Sequence, residues 1–107
     1  MKVLVYKYEE DYGGDYIEFI AKDVESALNH LLFKEKEIYD YSINQAETYI
    51  KNLLPTVTKS YWHDIKRQAI ERYESAMNYV YGGEWNEDNI ETFCLNKNYS
   101  FSFHEVV

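Results

Sequence analysis

At 107 residues, with 46% hydrophobic and 28% charged residues, the chain has the make-up of one folded domain rather than a disordered segment. Its balance is acidic, 19 Asp+Glu against 11 Lys+Arg for a formal net charge of −8. That argues against direct contact with DNA, RNA or an anionic membrane face, each of which needs a basic footprint.

Cys94 is the only cysteine, so an intrachain disulfide and a thiolate metal cluster are both excluded. The N-terminus turns acidic too soon for a signal peptide, and no apolar run approaches a membrane span. The expected setting is the cytoplasm of a host cell. Twelve tyrosines are the compositional oddity. Tyrosine combines large apolar area with a polar tip and suits both half-buried sheets and wet interfaces.

In chain order, residues 2–8 and 16–22 alternate and are rich in β-formers, with Gly13-Gly14 between them. A Gly-Gly pair between such runs predicts a two-residue hairpin, because glycine accepts the positive φ of primed turns. Pairing outward from that turn sets Asp11 opposite Tyr16, Glu9 opposite Glu18 and Tyr8 opposite Phe19. Leu4, Tyr6, Tyr8, Ile17, Phe19 and Ala21 then share the core face, and Glu9, Asp11 and Glu18 the other.

Asp23 is placed to cap a helix from Val24, whose stripe is Val24, Ala27, Leu28, Leu31 and Leu32. The Ser42-x-x-Gln45 spacing matches a capping box and predicts a second helix with the stripe Ile43, Ala46, Ile50, Leu53 and Leu54, ended by Pro55. Thr58 or Ser60 can cap a third helix reaching about Tyr81, with Trp62, Ile65, Ala69, Tyr73, Ala76 and Val80 in helical period. Gly82-Gly83 is expected to give a left-handed stop.

Residues 84–91 read as an acidic loop, 90–95 as a possible strand, and Asn96-Lys97-Asn98 as a turn. From 99 the chain alternates strictly, with Tyr99, Phe101 and Phe103 on one face and Ser100, Ser102 and His104 on the other. The expected fold is a single α+β domain over 1–107. It has an N-terminal β-hairpin, about three helices, and C-terminal strand(s) completing a three- or four-stranded antiparallel sheet with helices on one face.

Recognisable chemistry is sparse. His63 and Asp64 are adjacent on a helix and point roughly 100° apart, so they do not face each other. His30, His63 and His104 fall on three different elements without metal-ligand spacing. Neither glycine pair has phosphate-cradling spacing, and Cys94 in Phe-Cys-Leu reads as a buried, inert thiol. No catalytic residue, cofactor or metal ligand is expected, and the chain reads as a non-enzyme. The mixed charges of the third helix, among them Lys59, Lys66, Arg67 and Arg72 with Asp64, Glu71 and Glu74, read as a solvated face or the seam of a homodimer.

The acids themselves are unevenly placed. Residues 9–25 hold seven of them against Lys22 alone, and residues 84–91 hold four with no basic residue, together 11 of the 19. Opposed glutamates cost a hairpin roughly a few tenths of a kcal/mol. Carboxylates on one strand face recur every ~6.6 Å, comparable with two phosphate steps of ~3.4 Å along a DNA strand. Interleaved Tyr8, Tyr12 and Tyr16 add rigid anchors of the kind found at interface hot spots. The expected partner-binding set is Glu9, Glu10, Asp11, Tyr12, Asp15, Tyr16 and Glu18, with Glu84, Trp85, Glu87 and Asp88. Calcium is the rival ligand for such acids, but no EF-hand loop is present.

In size, acidity, tyrosine content and α+β pattern the chain resembles small inhibitors encoded by phages and mobile elements, including anti-CRISPR proteins and DNA mimics. The resemblance implies a protein that inhibits a nucleic-acid-handling enzyme, such as a nuclease effector, by occupying its basic groove. The alternative is a homo-oligomeric structural or regulatory domain, packed around Trp62 and Tyr73, whose acidity serves solubility.

Overall fold

The computed structural model describes residues 1–10, 16–52 and 57–107, the side chains of 57–59 excepted. Strands β1 (Lys2–Glu9) and β2 (Tyr16–Ala21) are followed by helices α1 (Val24–Asn52) and α2 (Val57–Gly82), a 3-10 turn (Ile90–Thr92) and strand β3 (Tyr99–Glu105). The class is α+β. The residues group into two compact units, one of Met1–Leu31 with Tyr79–Val107 and one of Leu32–Asn78, and each helix contributes to both.

In the first unit the sheet runs β2-β1-β3, all antiparallel, with β1 central. The register differs from the predicted one by two residues: Tyr8 pairs with Ile17, Tyr6 with Phe19 and Lys7 with Glu18. A slip of two leaves every side chain on its expected face, because the side-chain period of a strand is two. It does change who meets whom. Glu18 lies across from Lys7, with Nζ and carboxylate 3.8 Å apart, instead of across from Glu9. The like-charge opposition expected of the hairpin is thus replaced by an opposite-charge cross-strand pair. The Gly13-Gly14 turn itself lies outside the described residues.

The core face is aromatic. Tyr6 packs on Phe19 (ring centroids 4.5 Å apart), Phe101 (5.4 Å) and Tyr99 (6.0 Å), and Tyr8 on Tyr99 (5.0 Å). Tyr8 is therefore a core residue, as its place on the core face predicts, and is not also the surface anchor expected beside Tyr12 and Tyr16. Asp23 caps α1 as expected: its carboxylate accepts the Ser26 backbone N–H at 2.7 Å. The buried stripe Val24, Ala27, Leu28 and Leu31 follows, and the His30 ring meets Phe19 edge-on at 4.6 Å.

In the second unit the two helices run antiparallel, shown by the pairings Glu35–Arg72, Tyr39–Tyr73, Glu47–Lys66 and Tyr49–Trp62. Among the described residues two α-helices stand where about three are expected. The Ser42-x-x-Gln45 box does not start a helix, because the chain is already helical there and nothing stops it: neither Gly nor Pro occurs between Val24 and Asn52. Gln45 donates to the Tyr41 hydroxyl (3.1 Å) rather than back to Ser42, and Thr48 Oγ1 donates to the Asn44 carbonyl one turn earlier (2.8 Å). The charged stretch before the box is held by Lys36–Asp40 at i,i+4 (3.2 Å). Ser60 lies inside α2 rather than at its cap, and Pro55 is outside the described residues.

After α2 the chain departs twice more from expectation. Gly82 and Gly83 do not adopt the left-handed backbone; Gly83 is needed for space instead, since a Cβ there would press into the Trp85 indole, 2.8 Å from Cε2. Residues 90–95 are not a strand. The 3-10 turn sends Ile90 and Phe93 into the core and leaves Cys94 exposed, which corrects its reading as a buried thiol. The turn before β3 is as predicted, with the Asn98 N–H donating to Asn96 Oδ1 at 2.9 Å.

Candidate partner-binding surface

Of the first acid block, Glu9 and Glu10 fall at one end of the sheet. Glu9 ends β1 and Glu10 follows it, both exposed, with Tyr16 across from Glu9 and 61% exposed. Main-chain bonds anchor this end: the Glu9 N–H donates to the Asn98 carbonyl (2.8 Å), and Asn98 Nδ2 returns a bond to the Glu9 carbonyl (2.7 Å). A shallow recess lined by Lys7, Glu9, Tyr16, Lys97, Asn98 and Ser100 sits beside it, so two lysines accompany the acids. Asp11, Tyr12 and Asp15 lie outside the described residues.

The second block is a loop tied by asparagine. Asn89 Nδ2 donates to the Glu84 carbonyl (2.9 Å), the Asn86 N–H to Asn89 Oδ1 (2.8 Å), and the Asp88 N–H to Asn86 Oδ1 (2.8 Å). These bonds turn the backbone inward and leave Glu84, Glu87 and Asp88 exposed. Trp85 points the other way. Its Nε1 donates to the Tyr79 carbonyl (3.1 Å), and its ring packs on Phe93 (4.9 Å) and Tyr79 (5.4 Å), so it secures the loop to the core.

Glu9 and Glu10 stand at the opposite end of β1 from the 84–88 loop, and Asp23 of the first block lines the same recess as Glu87. Glu87 shares a recess with Lys2, Val3, Ile20, Lys22 and Phe103, where the strand begins, whereas Glu9 is where it ends. At ~3.3 Å per residue those ends are about 23 Å apart. The acids therefore form two separated clusters of the first unit.

Charge is divided between the units in a way that spacing alone did not reveal. The first unit holds 4 Lys+Arg (Lys2, Lys7, Lys22, Lys97) against 12 Asp+Glu, a balance of −8, and the second holds 7 against 7, a balance of zero. Compensation is fuller in the second unit. In the second unit Glu35, Asp40, Glu47, Asp64 and Glu71 all sit in ion pairs. Of the predicted binding acids that are described, Glu18 is paired with Lys7, while Glu9, Glu10, Glu84, Glu87 and Asp88 form no ion pair with a described residue.

Other chemistry is thin. Among the described residues no three His, Cys, Asp or Glu side chains gather as a metal site would require. His63 is exposed, and Asp64 turns to Arg67 (3.3 Å) rather than to the imidazole. Ser102 Oγ and His104 Nε2 are 2.9 Å apart on β3, an exposed pair brought together by the strand's alternation. No described helix is long and apolar enough to cross a membrane. Comparisons with protein-family models, curated proteins and solved structures find no match to the chain.

Proposed function

We propose that this is a non-enzymatic binding protein whose acidic unit engages the basic nucleic-acid-binding groove of a partner enzyme, in the manner of the phage and mobile-element inhibitors its sequence resembles. One observation carries the reading: the whole net charge of −8 lies in one unit, where Glu9, Glu10, Glu84, Glu87 and Asp88 are exposed and form no ion pair with a described residue, while five of the seven acids of the balanced unit are paired. A net charge serving solubility alone has no need to be segregated, because interspersed charge solubilises as well. Two acid clusters about one 23 Å strand apart suit a groove that grips phosphates at intervals.

The test is capture of basic proteins from a bacterial lysate by the chain and by a variant carrying Glu9→Gln, Glu10→Gln, Glu84→Gln and Glu87→Gln. Four exposed charge contacts at about 0.5 kcal/mol each weaken binding by about 2 kcal/mol, roughly thirtyfold. Salt should release whatever the unmodified chain retains. Equal retention by the two proteins at physiological salt would overturn the proposal. The homo-oligomer alternative rests on Trp62 and Tyr73, which lie against Tyr49 (4.4 Å) and Tyr39 (5.2 Å), and native mass spectrometry showing only monomer would remove it.

A further inference from the structure

Strand β2 lies at the margin of the sheet, and among the described residues its one strand neighbour is β1. The opposite margin is buttressed, with the 3-10 turn packed against β3 and Phe93 on Phe101 (5.1 Å). β2 is not. Ile17 is 50% exposed, Ile20 66% and Tyr16 61%, so apolar area lies open on both faces of the strand. The usual protections of a free edge are Pro, Lys, a bulge or extreme shortness. Six residues reading Tyr-Ile-Glu-Phe-Ile-Ala contain neither Pro nor Lys.

We propose that the outer edge of β2 accepts a strand from a basic partner protein, extending the sheet by main-chain hydrogen bonds. The proposal rests on the binding role argued above and specifies how the partner is held. Alternation fixes what the incoming strand must carry. Tyr16, Glu18 and Ile20 share one face and Ile17 and Phe19 the other, so the fitting segment has a basic residue beside Glu18 and apolar residues around it. A second copy of the chain is the poorer occupant, because self-pairing brings together two units that each carry −8. Main-chain bonds give such an edge its affinity and alternate side chains its selectivity.

The experiment titrates the full-length, isotope-labelled chain with the peptide Lys-Val-Val-Lys-Val-Val-Lys and with a control of equal charge, Lys-Val-Pro-Lys-Pro-Val-Lys. Amide exchange is read across β1, β2 and β3. Strand addition protects every second amide of β2 with the first peptide. The control, which lacks two donors worth about 1 kcal/mol each, should bind at least tenfold more weakly. Equal binding of both peptides without β2 protection would overturn strand addition while leaving the acidic-surface reading in place. Binding of neither would also overturn it, with the lysate capture deciding the acidic surface separately. Self-association that protects β2 amides without peptide would overturn the choice of occupant.

Discussion

Glu35 and Arg72 make the most consequential polar contact of the helical unit. Arg72 Nε donates to Oε1 at 2.9 Å and Nη2 to Oε2 at 3.0 Å, a bidentate fork between α1 and α2. The two ends differ in their access to water: the Glu35 side chain is 1% exposed and that of Arg72 35%. Arg72→Met therefore takes the fork away from a carboxylate that water hardly reaches. Breaking a fully buried pair costs about 3–5 kcal/mol, and the open guanidinium side lowers the expectation to about 3 kcal/mol. At roughly 4–8 °C per kcal/mol for a small domain, the melting temperature falls by about 12–24 °C. Glu35→Met costs less, since the guanidinium is the end of the pair that water reaches. The double variant recovers most of the loss, because apolar side chains of similar volume replace the pair. Urea denaturation of the four proteins, followed by circular dichroism, gives the coupling energy. A cost for Arg72→Met below about 1 kcal/mol, or a larger cost for Glu35→Met, would refute this account of the pair.

Two further predictions address local structure. Hydrogen bonding from the Ser26 backbone N–H, then from its side chain, holds the Asp23 carboxyl below its ordinary value of 3.8. A depressed folded-state value means that the capping charge stabilises above the unfolded value and that this contribution disappears as pH falls through the folded one. The melting-temperature gap between the chain and Asp23→Asn should thus be widest above that value and close in stronger acid; a pH-independent gap would contradict the assignment. Gly83→Ala should push the Trp85 indole from the Tyr79 carbonyl, since the added Cβ overlaps the ring. In a Trp62→Phe background, which leaves Trp85 as the sole tryptophan, its emission should move to the red. Unchanged emission would show that the loop accommodates the methyl group.

The elements were legible in the sequence wherever periodicity and burial agree. The stripe from Val24 to Leu31 and the alternation from Tyr99 to Phe101 read directly onto buried faces. The errors came where a local signal was outweighed by its neighbourhood. The box at Ser42 has the right spacing, but capping requires a chain that is not already helical, and α1 passes through it. The Gly82-Gly83 pair suggests a conformational need, whereas the need at Gly83 is room for the Trp85 indole, which helical periodicity does not report. The register at β1 and β2 missed by two because alternation fixes faces but not partners. For the surface, composition located the acids but not their pairing. That Lys7 answers Glu18 while Glu9 and Glu84 have no ion-pair partner among the described residues depends on register and loop geometry, and the balance of −8 against zero appears only once the units are known.

The central claim is that the acidic unit takes the place of nucleic acid on a basic partner. Its most direct test uses the basic protein captured at low salt, bound again to the immobilised chain and challenged with duplex DNA at constant ionic strength. Displacement in proportion to added DNA, with no complex containing all three components, is the predicted result. A stable ternary complex, in which partner, DNA and this chain remain together, would contradict it.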